Sequence, residues 1–147
     1  MTVKIEVSWG ELIDKVTILQ IKLEEISDPT KRANIQRELE ALTPAHTEAQ
    51  ARDPRIPELT AQLKALNKVI WDNEDRLRDL EREKRYEADF VACARTAYRT
   101  NDQRCAVKRA TSASESRLRI GSDSKRLPSA SRRKKRRRSR GWISTSS

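Results

Sequence analysis

The sequence predicts an all-α fold, a long antiparallel helical hairpin or small helical bundle, with a short N-terminal β-strand and a disordered C-terminal tail. Three observations carry this. Apolar residues recur at helical spacing through successive stretches of the chain. Glycine is scarce, three in 147 residues, whereas turn-rich β folds need it at many corners. The charge is also divided: Met1 to Arg109 holds 20 Lys/Arg and 20 Asp/Glu, while Ala110 to Ser147 holds 12 Lys/Arg and two acids, so the whole net charge of +10 lies in the second part. That asymmetry predicts a helical domain over 1–109 joined to a basic tail over 110–147.

In chain order, Val3, Ile5 and Val7 alternate with polar residues, a strand pattern. Ser8-Trp9-Gly10-Glu11 then reads as a capping box. Behind it Leu12, Val16, Leu19, Leu23 and Ile26 form one apolar stripe of a first helix. Asp28-Pro29 is an N-cap followed by proline at the first helical position. The second helix carries Ile35, Leu39 and Leu42 and weakens toward Pro44. A third helix starts near Pro57 and runs to about Tyr86. Its stripe of Leu59, Leu63, Leu66, Ile70, Asn73, Leu77 and Leu80 is a heptad seam. Asn73 within it is either a register-setting polar contact or a sign that the seam drifts to the surface. Phe90, Ala94 and Ala97 predict a fourth helix. Thr100-Asn101-Asp102-Gln103 is a second capping-box pattern that should open a fifth. That fifth helix has almost no stripe, and the Ser/Arg-rich stretch from Ala110 cannot bury enough apolar surface to offset its ordering entropy.

Several function classes find no support. His46 is the sole histidine, and Cys93 and Cys105 stand twelve apart, so no zinc set and no hydrolytic triad can be assembled. No glycine-rich phosphate loop exists. The expectation is no catalytic constellation, no cofactor and no metal. No apolar run approaches the roughly 20 residues that span a bilayer, and no secretion signal opens the chain. A cytoplasmic protein with two free thiols is expected.

The candidate sites are polar clusters. Glu11, Asp14 and Lys15 crowd the start of the first helix; Glu74, Asp75 and Arg78 crowd the middle of the third, near Trp71. Packed together they would form one pocket for a small ligand, although a solvated charged face accounts for the same residues. Tyr98-Arg99-Thr100-Asn101-Asp102 is either a binding turn, through Tyr98, Asn101 and Asp102, or a capped helix connection. In the tail, Arg132, Arg133, Lys134, Lys135, Arg136, Arg137, Arg138 and Arg140 could neutralise nucleic-acid phosphates.

Three blocks also carry a resemblance. They are Gly10-Glu11-Leu12-Ile13-Asp14-Lys15, continued by Thr17-Ile18-Leu19 and Ile21-Lys22; Asn67 with Trp71 and Glu74-Asp75; and Ala94-Arg95, Tyr98-Arg99-Thr100-Asn101-Asp102, Arg104 and Lys108-Arg109. In combination, from about Val7 to Arg109, the chain resembles bacterial domain-of-unknown-function family 6165, to which no activity is assigned. The resemblance implies that the polar residues of the blocks form a shared site. It also implies, through the usual neighbourhood of the family's genes, a link to surface-polysaccharide or glycosyl-transfer functions. Beyond Lys108-Arg109 the chain departs from the family, whose last helix continues with an apolar stripe. The Ser/Arg/Ala composition from Ala110 is that of an out-of-frame reading of a GC-rich gene end.

The first functional expectation is a cytoplasmic interaction or assembly module. Its partner is a second copy or another helical protein, because the long seam of the third helix lacks enough intramolecular cover. The alternatives are a small-molecule or catalytic pocket on the helical domain, and non-specific nucleic-acid binding through the tail.

Overall fold

The structure, a computed structural model, describes residues 5–123, with side chains described over 5–113. Four helices follow one another: α1 (Trp9–Glu25), α2 (Pro29–Arg52), α3 (Ile56–Arg82) and α4 (Ala88–Asp123). The all-α expectation holds.

Helix α1 begins where the capping box placed it. Ser8 is extended, and its Oγ accepts from the Glu11 N–H at 3.4 Å. The expected return bond from the Glu11 carboxylate is replaced by an ion pair across to α4, described below. No strand precedes the helix among the described residues. Residues 5–8 are irregular, and Ile5 and Val7 are 76% and 51% exposed. An isolated strand has nowhere to send its backbone hydrogen bonds, and the described residues include no strand to receive them. Val3 lies outside the described residues.

Asp28 caps α2 as expected, its Oδ1 accepting from the Lys31 N–H at 2.9 Å. The helix does not end at Pro44. It continues to Arg52 with the proline inside. Pro44 costs the Glu40 carbonyl its helical donor, but both residues face outward and are exposed, so solvent replaces the lost bond. Over its 24 residues α2 fully buries only Ala49. The Lys15–Glu38 ion pair, at 2.6 Å, and the three-residue link Ile26 to Asp28 make α1 and α2 an antiparallel hairpin.

Helix α3 stops at Arg82, short of Tyr86. Lys84 adopts a φ of 54°, and the Arg85 N–H donates to the Leu80 carbonyl at 2.9 Å, which is a Schellman-type stop. A lysine in the left-handed region carries a steric penalty that glycine avoids. Lys84→Gly is therefore expected to stabilise the fold by about 0.5–1 kcal/mol, read as a raised urea midpoint.

Helix α4 returns antiparallel to α3, since Asn73 meets Cys93 while the earlier Asn67 meets the later Arg104. The expected break before a fifth helix is absent. Thr100 lies buried in mid-helix. A capping sequence acts only where the backbone leaves the helix; between Ala88 and Asp123 there is no proline, and alanines at 92, 94, 97, 106, 110 and 113 favour continuation. Helical backbone also runs past Arg109 to Asp123. The rest of the tail, with its eight candidate nucleic-acid contacts from Arg132 to Arg140, lies outside the described residues.

Helix α1 is the centre of the bundle and touches the other three. Ile13, Ala49, Ile56 and Leu63 form the core cluster, with Trp9 and Val107 packed against it. The α3 seam points inward: Leu63 and Leu80 are fully buried, and the Asn73 amide donates to the Cys93 carbonyl at 2.9 Å. Asn73 is thus a helix–helix contact. The α3 helix packs mainly against α4 and α1, with Leu59, Leu66, Ile70 and Leu77 of the seam half-buried.

Candidate functional site

Six polar side chains from three helices meet where α1, α3 and α4 cross. Asp14 and Thr17 come from inward positions of α1, both buried. The Asn67 amide nitrogen of α3 donates to Asp14 Oδ1 at 2.9 Å and to Thr17 Oγ1 at 3.0 Å. Thr17 in turn donates to the Asp14 carbonyl at 2.8 Å. From α4, Lys108 Nζ reaches Asp14 Oδ2 at 3.2 Å and Glu11 Oε1 at 2.8 Å. Arg104 Nη1 lies 3.5 Å from Asn67 Oδ1, the long limit of a hydrogen bond. Burial alone would lower the Lys108 pKa. Its hydrogen bonds to Glu11 and Asp14, with the attraction of both charges, outweigh that and leave it raised. The ammonium is therefore charged throughout the physiological range.

A close approach of α1 to α4 makes this geometry possible. A Cβ on Gly10 would stand 2.4 Å from the Lys108 carbonyl oxygen and 2.7 Å from Ser112 Oγ. Ser112 donates to Ser8 Oγ at 3.0 Å, so the first turn of α1 is held to α4 from both sides of Gly10.

On the other side of α1, a cavity of about 350 Å³ opens against α2. Val7, Leu12, Ile18, Leu19 and Leu42 supply its apolar wall; Glu11, Asp14, Lys15, Lys22 and Glu38 supply its polar rim. Asp14 and Glu11 belong to both the cavity and the buried network.

The structure brings together only part of the site read from sequence. Glu11, Asp14 and Lys15 share the cavity. Glu74, Asp75 and Arg78 do not join them: Arg78 pairs with Glu74 at 3.2 Å and Asp75 at 2.7 Å along the exposed side of α3. Trp71 is half-buried on α3, one turn beyond Asn67. Tyr98 is exposed beside the Arg99 guanidinium, and Asn101 and Asp102 are exposed on α4 rather than in a turn. Thr17, Asn67, Arg104 and Lys108 were in the resembling blocks but not among the candidate site residues. A signal existed for Asn67: it lies four residues after Leu63 and three before Ile70, an inward position holding an amide.

Among the described residues no group of three His, Cys, Asp or Glu is placed to hold a metal ion, and no helix is long and apolar enough to cross a membrane. Cys93 and Cys105 are separate, half-buried thiols on α4.

His46 of α2 is half-buried, and its Nε2 is enclosed without a partner. Burial holds its pKa below the ordinary 6.5. The unfolded chain therefore takes up the proton first as pH falls, so acidification through and below about 6.5 should lower stability. Melting temperatures across pH 5 to 8 should show this slope, and His46→Leu should flatten it.

Neither a curated protein nor a solved structure matches the chain. A family described as "Family of unknown function (DUF6165)" matches residues 3–126, running beyond the Arg109 limit of the resemblance. The match covers most of the chain and all three helices that build the polar junction, and the protein belongs to the DUF6165 family.

Proposed function

We propose that this chain is a non-catalytic binding module that holds a small amphipathic ligand in the cavity between α1 and α2. The observation that carries the reading is the cavity itself. Its volume of about 350 Å³ falls in the range of small-molecule sites, and an apolar wall faces a few convergent charged groups. The network behind it supports the same reading. Asp14 is buried and paired with Lys108, and burying ions is less favourable than packing apolar groups of the same volume. The pairing fixes the Asp14 and Glu11 carboxylates at the cavity rim.

The test is a thermal-shift screen of the full chain against a library of amphipathic small molecules. A bound ligand should raise the melting temperature by a few degrees at about tenfold excess over its Kd. The shift should vanish in Leu42→Phe, which fills the cavity without touching the polar network, and in Asp14→Ala. A shift that persists in Leu42→Phe, or no shift across the library, counts against the cavity as a site.

A second reading is an interaction module that seats a helical partner or a second copy. It is favoured by Val7, which is half-exposed at the cavity wall, and by the neighbouring Ile5. Light scattering decides it for self-association: a dimer mass that reverts to a monomer in Val7→Lys supports it, and a monomer into the high micromolar range removes it.

A further inference from the structure

We infer, building on the cavity reading above, that the ligand is an aliphatic monocarboxylate whose head group pairs with Lys22. The apolar wall of Val7, Leu12, Ile18, Leu19 and Leu42 is aliphatic throughout. It buries a flexible chain and offers no aromatic ring for a planar ligand to stack on. The charged rim selects the head group. Asp14 has both oxygens engaged, by Asn67 and Lys108. Glu11 shares Lys108, and Lys15 and Glu38 hold each other. Of the rim charges, only Lys22 has no hydrogen-bond or ion-pair partner among the described residues.

The local structure explains why Lys22 is uncommitted. It is half-buried in the last turn of α1. The acids that follow it turn away: Glu24 pairs with Lys64 and Glu25 with Lys68, both on α3. The carbonyls at the end of α1 are also taken. Those of Leu23 and Ile26 accept from the Arg32 guanidinium, and that of Lys22 accepts from the Ile26 N–H. Asp28 spends its Oδ1 on the Lys31 N–H. An ammonium beside an apolar wall, with no counter-ion, favours an anion that carries an apolar body. Lys22 follows Ile18 by four residues and Leu19 by three, so head-group contact and wall share one face of α1. Asp14 stands eight residues back, about 12 Å along the helix axis, which keeps a carboxylate at Lys22 clear of it. One negative charge balances the ammonium. A second would face a rim that already holds the carboxylates of Glu11, Asp14 and Glu38.

Isothermal titration calorimetry of the full chain tests this with probes of one chain length and different heads. They are sodium octanoate, 1-octanol, octyltrimethylammonium chloride and octyl phosphate, at matched ionic strength. Octanoate should bind most tightly, and Leu42→Phe should abolish its binding. Extending hexanoate to octanoate should tighten binding by about tenfold. Lys22→Gln should weaken octanoate by about tenfold or more, with a smaller effect on 1-octanol, and Lys22→Arg should restore it. Far-UV circular dichroism confirms that each variant is folded. If another head group binds as tightly as octanoate and Leu42→Phe abolishes that binding, the monocarboxylate assignment is overturned and the cavity stands as a site. Octanoate binding that Lys22→Gln leaves unchanged also overturns the assignment. Binding of no probe overturns it too, while the library screen still decides the cavity.

Discussion

Gly10→Ala should be among the most damaging single substitutions in this protein, lowering stability by about 2–3 kcal/mol. Glycine inside a helix ordinarily gains up to about 1 kcal/mol when replaced by alanine. Here the sign reverses. The new Cβ would meet the Lys108 carbonyl oxygen at 2.4 Å, and a backbone atom cannot rotate away as a flexible side chain can. Helices α1 and α4 must separate, and the Ser8–Ser112 and Glu11–Lys108 contacts lengthen with them. Urea unfolding followed by circular dichroism gives the value. An alanine variant as stable as the parent would show that α1 and α4 are not in contact at this point.

Asn67→Ala is the second large effect, expected at about 2–3 kcal/mol. The amide is buried and supplies the donors for Asp14 Oδ1 and Thr17 Oγ1. Removing it leaves a buried carboxylate oxygen and a buried hydroxyl short of a donor, and opens a small void beside Leu63. It also takes from Arg104 its sole acceptor among the described residues. Asn67→Asp keeps the shape but sets a second carboxylate against Asp14. It should be comparably destabilised at neutral pH and recover part of the loss as pH falls and one carboxyl is protonated. The recovery separates a polar effect from a packing effect.

The legible parts of the fold were those signalled by large apolar residues and by caps. The α3 seam, the Ser8 and Asp28 caps and the all-helical class follow from periodicity and N-cap chemistry. The stripe Leu12, Val16, Leu19, Leu23, Ile26 was also sound, but it described only part of α1. A helix that touches three others is buried on more than one face, and Gly10, Ile13, Asp14, Thr17 and Ile21 are buried outside that stripe. The far part of α4 was illegible for a related reason. It docks through small residues: Thr111 is fully buried and bonded to the Val107 carbonyl, and Ser112 sits against Gly10. Close backbone approach leaves no large apolar residue to count, so a docked helix reads as a helix without a stripe.

The candidate site was half legible. Glu11, Asp14 and Lys15 were identified as a cluster, and they do line a cavity. The charged group Glu74, Asp75 and Arg78 on α3, which charge density alone favours as their partner, pairs within itself at the surface. The residue that actually meets Asp14 from α3 is the uncharged Asn67, seven positions before Glu74. Charge density along a helix reports solvation more often than contact, whereas a single amide at an inward position reports contact.

The junction depends on Asp14 of α1 meeting Lys108 of α4, and a double-mutant cycle on that pair tests it most directly. Asp14→Ala, Lys108→Ala and the double variant are each unfolded in urea. Residues in direct contact are expected to show a coupling energy of about 1–3 kcal/mol, with the double variant less destabilised than the sum of the two single ones. Additivity within error would mean that the two side chains do not interact, and the account of the polar junction would have to be abandoned.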